Sequence, residues 1–392
     1  MKRTLIAVAK RVFPLLFGIL LSWLLLEILL RVTFDMLPPG IQGTIQSVRR
    51  VPWSEETIIP AQPFIIDHDF QVRMPVGLKD FPVRWSDAQF TYDTISAWDG
   101  HRAGLRSDAP QWPLDIMTFG DSFTWCWVKW EDCWVKRLNL DDGWHVFNAA
   151  IPGTGPSGQF NLMKELTPPM KPKLIVWVWF PNDMSDDYDL AKIRGEVGDL
   201  SKGPYPDPDP PVTGLSSISA VWRIIDARLN PPKKISPYQH FQEVILNGRP
   251  MSIHTDEYAH PYTLQYGDTQ YGIKRNLEAH AEAVKFLQEQ VETKPRVLFV
   301  YIPVKEEAYA DLIKDKLGSD YIEPIGEGRR QLLEQCQQQG WDCIDALPAL
   351  KAAVNQGQTI YYGFDSHLDP SGNLLLENLI ADYIKAHGLL TP

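Results

Sequence analysis

The chain has 392 residues, of which 44% are hydrophobic and 22% are charged. These values are ordinary for a globular protein and exclude a wholly disordered chain, a collagen and a coiled coil. Acidic residues outnumber basic residues by 49 to 38, for a formal net charge of −11, which argues against a nucleic-acid partner because such a partner requires a basic face. At roughly 100–200 residues per domain, the length predicts two domains or one large decorated domain.

The first predicted element is an apolar segment over residues 12–30, VFPLLFGILLSWLLLEILL, in which Glu27 is the single charge. About 20 apolar residues span a hydrocarbon core, so we predict a transmembrane helix. Basic residues precede it, and the positive-inside rule predicts that residues 1–11 are cytoplasmic and the rest of the chain extracytoplasmic. A cleaved signal peptide is the alternative, but its apolar region would be shorter and followed by a small-residue cleavage site.

Residues 31–110 show no clean helical period, and proline, glycine and aromatic residues are scattered through them. Short alternating stretches such as FQVRM and FTYDTI are typical of strands. We therefore predict a stalk followed by a small β-rich lead-in.

From residue 111 the pattern changes to short apolar runs without polar alternation, which are LDIMTF, WHVFNAA, LIVWVWF, RVLFVYIP and WDCID. Such runs are typical of parallel strands that are covered on both faces. The predicted helical stretches between and after them are 130–140, 158–166, 276–291, 329–339 and 371–387. This alternation predicts a doubly wound α/β domain over 111–392, with helices on both faces of a parallel sheet.

A long insertion, about 186–270, interrupts this domain, and its PYPDPDPPVTG segment excludes regular helix or central strand. We interpret it as a lid or a surface excursion. His254, Asp256 and His260 lie in it, and Asp67-His68-Asp69 forms another cluster near the start of the lead-in. Because scattered His and Asp residues in loops are usually solvated, we predict no metal site at either place.

Four cysteines occur, and the spacing within each sequential pair is seven residues. Outside the cytoplasm an even number suggests disulfides, and three pairings are possible. We favour Cys126–Cys133 and Cys336–Cys343. Zinc is the alternative, but the spacing does not fit common zinc knuckles.

Reactive residue types follow the predicted strands, where ligands of doubly wound sheets bind. Ser122 lies on a strand-to-helix turn, and a serine needs a base within hydrogen-bond reach to act as a nucleophile. His367, ahead of the last helix, can supply that base, and Asp365 can orient its imidazole. The Ser122 amide, the Gly153 amide and the Asn182 side chain are candidate donors to an oxyanion.

These blocks resemble the SGNH/GDSL hydrolases: GDSFT, NAAIPG, PND and DSHLDPSG follow one another in the family's order. The resemblance implies a three-layer α/β/α, flavodoxin-like fold. It also implies Ser122 as nucleophile, Gly153 and Asn182 as oxyanion donors, and His367 with Asp365 as base and partner. The sequence departs from the family's motifs at two places. Pro181 precedes Asn182, where many members have Gly, and the final block is Asp-x-His, where many members have Asp-x-x-His. Asp369 is the alternative acid, and the short spacing also occurs in relatives resembling alginate O-acetyltransferases.

We therefore predict a membrane-anchored, extracytoplasmic serine esterase that acts on an O-acyl ester, acetyl being one candidate, of an envelope glycan, lipid or small molecule. Trp125 and Trp127, next to Ser122, are predicted substrate contacts, although tryptophans also pack helices on sheets. No cofactor or metal is predicted. One alternative is an O-acyltransferase with the same site and a membrane partner that donates the acyl group. A second alternative is a non-catalytic binding or assembly module.

Overall fold

A computed structural model describes the following residues: 2–33, 37, 41, 45, 57–59, 62–85, 87–201, 214–229, 241–254, 262–317 and 322–390. The chain divides into two compact units, one formed by residues 1–63 and 206–237 and the other by residues 64–205 and 238–392.

The strands are β1 Thr57–Ile59, β2 Gln62–Asp67, β3 Gln71–Arg73, β4 Phe81–Trp85, β5 Ala88–Tyr92, β6 Ile116–Phe119, β7 Val146–Asn148, β8 Leu174–Trp179, β9 Phe241–Leu246, β10 Arg249–His254, β11 Arg296–Tyr301 and β12 Asp342–Asp345. The α-helices are α1 Lys2–Val32, α2 Ser122–Trp125, α3 Trp134–Leu140, α4 Pro156–Met170, α5 Asp183–Ile193, α6 Ala220–Leu229, α7 Gly267–Gln290, α8 Lys305–Ala308, α9 Ala310–Leu317, α10 Ile322–Ile325, α11 Glu327–Gln339, α12 Leu347–Asn355 and α13 Pro370–Ala386. Short 3-10 helices lie at Trp130–Asp132 and Gly214–Ser217.

In the first unit, α1 contains the predicted anchor. Its Val12–Val32 segment has a mean hydropathy of 2.3, and none of its most apolar stretch is buried. It is the single helix of the described residues that is long and apolar enough to cross a membrane. This helix is what a signal anchor or a single-pass protein requires.

The second unit is built on a parallel sheet in the order β12-β11-β8-β6-β7. Counted in chain order, its five strands are arranged 2-1-3-4-5, which is the flavodoxin-like order. These strands are the five predicted apolar runs, and the predicted helical stretches correspond to α3, α4, α7, α11 and α13. The predicted fold class is therefore confirmed.

The absence of polar alternation in β8 has a structural reason, since all six of its residues are buried. Leu174, Val176 and Val178 belong to one core cluster, together with residues of α3, α12 and α13. Ile175, Trp177 and Trp179 belong to the other, with residues of α4, α7 and α11. A strand turns successive side chains to opposite faces, so the sheet is covered on both sides.

The lead-in contributes two antiparallel hairpins, β2–β3 and β4–β5. Phe70, Phe90 and Tyr92 from this region join the core cluster of α4 and α7. A third hairpin, β9–β10, lies within the predicted insertion, and its Val244 and Met251 join the core cluster on the opposite face of the sheet. The backbone amide of Ser252 in β10 donates to the carbonyl of Gly363 at 2.7 Å, next to the final sequence block.

The two predicted disulfides have different outcomes. Cys126 and Cys133 are joined by a disulfide, with their Cα atoms 5.4 Å apart. Cys336 and Cys343 are free thiols, so the second predicted disulfide is not formed. The Cys336 thiol donates a hydrogen bond to the carbonyl oxygen of Trp341 at 3.6 Å.

Candidate active site

Ser122 is presented by a tight turn at the carboxyl end of β6. Gly120, at φ +149°, has no room for a side chain, because a Cβ there would collide with Thr124. Asp121 is the N-cap of α2, and its Oδ1 accepts the Phe123 amide at 2.9 Å. The turn lies at the switch point between β6 and β8, where crossovers diverge and ligands of this fold bind.

His367 lies within hydrogen-bond distance of both predicted partners. Its Nε2 is 2.7 Å from Ser122 Oγ, and its Nδ1 is 2.6 Å from Asp365 Oδ1. Asp365 Oδ1 also accepts the backbone amide of His367 at 2.8 Å. The structure therefore brings together three predicted residues that lie up to 245 positions apart. This is the geometry that a serine nucleophile with a histidine base requires.

The Asp365 carboxylate is kept ionised despite its burial. Burial alone raises the pKa of Asp365, but the His367 imidazole and its hydrogen bonds outweigh burial, so the pKa lies below its usual value. The positive charge of Lys305, which is 3% exposed, also lowers the pKa of Asp365. Its ammonium group donates to the carbonyls of Tyr362, Gly363 and Asp365, in the loop that carries Asp365, at 3.2, 3.1 and 2.9 Å. Sequence reasoning missed Lys305, since nothing local marks it.

Asp369, the alternative acid, has a different function in the structure. Its Oδ1 accepts the amides of Ser371 and Gly372 at 2.9 and 3.0 Å and so caps α13. Its Oδ2 lies 3.3 Å from Arg249 of β10. Asp365, and not Asp369, therefore lies against the His367 ring.

The two other candidate oxyanion donors follow β7 and β8. Gly153 has φ +70°, a conformation that favours glycine, and a Cβ there would find its nearest neighbour, Val72, at 3.8 Å. Asn182 precedes α5 and donates from Nδ2 to Asp186 Oδ2 at 2.9 Å. Its Oδ1 is buried and lacks a hydrogen-bond partner among the residues that the structure describes. Asp186, which Gln71 also contacts at 3.3 Å, thus orients the predicted donor.

Three buried aspartates, Asp121, Asp183 and Asp187, and the half-buried Asp186 surround this part of the site. Burial is the main cause that raises the pKa of Asp121, Asp183 and Asp186, and it raises the pKa of Asp187 to about 6. Neighbouring carboxylates add to the effect at Asp183 and Asp186. Sequence analysis did not identify this cluster of carboxylates. The pattern that could have predicted it is Asp-x-x-Asp-Asp at the start of α5, because residues three and four positions apart lie on the same face of a helix.

The two predicted tryptophans lie in different surroundings. Trp125, 1% exposed, packs edge-on against Tyr92 at 4.8 Å, with the guanidinium of Arg106 over its ring at 4.6 Å. Trp127, 6% exposed, stacks on His367 with 4.8 Å between ring centroids. Arg106 also donates to the carbonyls of Trp125, Cys126 and Val128, which holds this segment in place.

The two clusters that we interpreted as solvated can be described only in part. Asp256, His260 and the side chain of His254 lie outside the described residues. Asp67 Oδ1 accepts the amide of Asp69 at 2.8 Å, and Asp67 also pairs with Arg102 at 3.3 Å. Within the described part of the chain, no group of three or more His, Cys, Asp or Glu residues could hold a metal ion.

Residues 261–391 match a protein family described as "SGNH hydrolase-like domain, acetyltransferase AlgX". This range includes α13 and the final block with Asp365 and His367, and it confirms the resemblance to the SGNH hydrolases. The chain thus has an SGNH-like fold, and the family that matches residues 261–391 is described as an AlgX acetyltransferase.

Several solved structures are similar to the chain. A member of the lipolytic G-D-S-L family from Veillonella parvula is 12% identical, with a TM-score of 0.38 over 69% of this chain and 97% of that one. An acetylxylan esterase from Geobacillus stearothermophilus is 10% identical, with a TM-score of 0.37 over 69% and 94%. A carbohydrate acetylesterase family member from Sinorhizobium meliloti is 12% identical, with a TM-score of 0.36 over 71% and 100%. No match was found among curated proteins.

Proposed function

We propose that the chain is a serine enzyme that forms an acyl-enzyme on Ser122 and acts on O-acyl esters. The observation that carries the proposal is the continuous hydrogen-bonded array from Ser122 Oγ to His367 Nε2 and from His367 Nδ1 to Asp365. A hydroxyl is a weak nucleophile without a base, and an imidazole at 2.7 Å supplies one.

In the first half-reaction, Ser122 Oγ attacks the ester carbonyl carbon while its proton passes to His367 Nε2. The resulting tetrahedral oxyanion collapses, the bond to the alcohol breaks, and His367 gives that alcohol the proton. In the second half-reaction, His367 removes a proton from a water molecule while the oxygen of that water attacks the acyl carbon. The acid leaves, and Ser122 regains its proton from His367.

The proposed oxyanion donors are the backbone amides of Ser122 and Gly153 and the side chain of Asn182. Donors that are fixed before the reaction stabilise the charge that develops on the carbonyl oxygen. The hydrogen bond from Asn182 to Asp186 orients one of its two N–H bonds. Gly153 supports this role because it carries no side chain, and the nearest neighbour of a Cβ built there would be Val72 at 3.8 Å, which leaves room for a ligand to approach the backbone.

We place the site outside the cytoplasm, on a protein anchored by residues 12–30. The apolar helix and the basic residues before it support this orientation. The proposed substrate is an O-acyl ester, such as an acetyl ester, on an envelope glycan or lipid. The family description and the Cys126–Cys133 disulfide, which is typical of oxidising compartments, support that location and substrate class.

The second candidate function is O-acyl transfer to a carbohydrate hydroxyl, and the acetyltransferase description of the matching family favours it. Here the acceptor hydroxyl would replace water in the second half-reaction, with the same proton movements. A membrane protein that donates the acyl group would then be the expected partner. Exclusion of water from the acyl-enzyme would favour this outcome.

The test is intact-mass analysis of the full chain in detergent after treatment with a fluorophosphonate, beside the Ser122→Ala variant. We expect one adduct on the wild type and none on the variant. A folded wild-type chain without an adduct would contradict an activated serine and favour the third reading, a binding or assembly module.

Product analysis then separates the two activities. The enzyme is given 4-nitrophenyl acetate with and without a carbohydrate acceptor, and free acetate and acetylated sugar are quantified. Release of acetate at the same rate with and without acceptor supports the esterase, whereas acetylated sugar that accumulates at the expense of acetate supports the transferase.

A further inference from the structure

Glu27 is the one charged residue in the apolar segment, and the structure shows what it binds. Its Oε1 accepts the amide of Ala220 at 2.9 Å, and its Oε2 accepts the amide of Val221 at 3.1 Å and the hydroxyl of Ser219 at 2.9 Å. Ala220 and Val221 are the first residues of α6. The carboxylate of α1 therefore caps the positive end of a second helix of the same unit.

Side chains extend this contact along both helices. Trp23 of α1 packs on Trp222 of α6 with ring centroids 6.0 Å apart. Arg31 holds Glu27 at 2.8 Å through Nε and donates from Nη2 to the carbonyl of Ile218, also at 2.8 Å. An apolar groove runs between the helices, lined by residues that include Ile19, Leu26 and Ile225.

The first residues of α6 contact α1 at a level that corresponds to the membrane interface. Glu27 lies five residues before Val32, where α1 ends, and at about 1.5 Å per residue this is about 7–8 Å from the end of the helix. Amphipathic helices that lie on membranes bury their apolar face about 5–10 Å deep, at the boundary of headgroups and acyl chains.

The surface of residues 214–229 has the composition that this position requires. Leu215, Ile218 and Leu229 are 58%, 52% and 72% exposed, and they lie in the same unit as the exposed apolar side chains of α1. Arg228 in the last turn of α6 adds a positive charge that suits phospholipid phosphates, whereas Arg223 is paired with Asp226 at 4.0 Å.

We propose that residues 214–229 form a second membrane contact, which begins in the headgroup region where the first residues of α6 are docked on α1 through Glu27. Phospholipid acyl chains would cover Leu215, Ile218 and Leu229 and fill the groove between α1 and α6. The proposal rests on the anchoring role of α1 proposed above. It assigns a lipid-binding role to a segment that sequence reasoning treated as part of a lid or surface excursion.

The test uses the full chain in liposomes of phosphatidylcholine and phosphatidylglycerol that contain a phospholipid with a diazirine in its acyl chain. After irradiation and digestion, lipid adducts are mapped by mass spectrometry. We expect adducts both on α1 and within 214–229. Adducts on α1 with none in 214–229 would overturn the second contact and leave the anchor intact, whereas a chain without adducts on α1 would overturn the anchor itself.

A pair of variants tests the docking role of Glu27. Glu27→Ala removes the acceptor for both α6 amides, and we expect adducts within 214–229 to fall severalfold while adducts on α1 persist. Glu27→Gln keeps one acceptor oxygen and should give an intermediate yield. Equal yields in the wild type and both variants would overturn the docking role. Fluorophosphonate labelling of Ser122 checks that the second unit of each variant is folded.

Discussion

The indole of Trp127 lies face to face with the imidazole of His367, with ring centroids 4.8 Å apart and 13° between their planes. Phe123 packs against the same imidazole at 4.9 Å. The proposed base thus packs against two aromatic rings, in addition to its hydrogen bonds with Ser122 and Asp365. The negative face of an indole favours a cation, so we expect the stack to stabilise the imidazolium that the proposed mechanism places on His367.

Replacing Trp127 should therefore slow the reaction of Ser122. A cation–π contact of this kind is worth about 1–2 kcal/mol, so we expect Trp127→Leu to lower the rate of fluorophosphonate labelling by about one order of magnitude. The labelling rate of Trp127→Phe, which keeps an aromatic face, should fall less than that of Trp127→Leu. Trp98→Leu is the matched control, because Trp98 is 40% exposed and packs on His101. Equal rates in the wild type and Trp127→Leu would contradict this role.

Lys305→Met should loosen the loop that carries Asp365. The variant leaves three carbonyls without their charged donor, and a hydrogen bond to a charged group contributes about 1.5–3 kcal/mol. We expect a labelling rate at Ser122 at least about tenfold lower, together with a lower denaturation midpoint. Lys351→Met, which removes an ion pair with Asp311 at the surface, should change neither. A normal labelling rate in Lys305→Met would show that the loop holds its geometry without the ammonium group.

Removing the Cys126–Cys133 disulfide should destabilise the protein and slow Ser122. For a loop this short, the lost constraint on the unfolded chain corresponds to about 2–3 kcal/mol. The Cys126→Ser, Cys133→Ser double variant should therefore unfold at lower denaturant concentration. Its labelling rate should also fall, because Trp127 lies within the loop. Cys343→Ser leaves the disulfide in place, and identical midpoints in the two variants would argue against the prediction.

His280 predicts a loss of stability in acid. It is fully buried between Trp177 and Phe299, its ring nitrogens have no hydrogen-bond partner among the described residues, and burial lowers its pKa to about 3. In the unfolded chain His280 binds a proton near pH 6.5, whereas in the folded chain it does not. The part of the free energy of unfolding that depends on His280 is therefore fully present above pH 6.5 and is lost as the pH falls. Between pH 8 and pH 5 the loss is about 2 kcal/mol.

The check is the denaturation midpoint of wild type and His280→Phe at pH 8 and pH 5. We expect the variant to lose less stability than the wild type between these values. The buried aspartates are common to both proteins, so their opposite pH dependence cancels in the comparison. His387→Phe, at an exposed position, should behave as the wild type does, and a His280→Phe variant with the wild-type pH dependence would refute the assignment.

The fold class and the residues of the array were predictable from local patterns. Parallel strands covered on both faces leave continuous apolar runs such as LIVWVWF, and the carboxyl ends of such strands meet at one edge of the sheet. Ser122 and His367 could therefore be placed together from the positions of their strands and loops alone. The apolar composition of residues 12–30 likewise defined the candidate anchor without any tertiary information.

Other features depend on contacts between residues that are distant in sequence. Asp365 and Asp369 are each two positions from His367, and only the capping of α13 and the ion pair with Arg249 separate their roles. Cys336 and Cys343 have the same spacing as Cys126 and Cys133, yet only the latter pair is bonded. The same spacing in sequence therefore does not determine whether two cysteines are bonded.

What the sequence by itself determined is the order of the strands along the chain, the candidate residues at their ends and the apolar helix. Only the tertiary structure decided that Lys305 supports the Asp365 loop, that Trp127 covers His367 and that Glu27 caps α6. The physical reason is that hydrophobic periodicity is a local property of the chain. A buried charge or an aromatic stack is defined by partners that are 60 to 240 positions away, and folding alone brings them together.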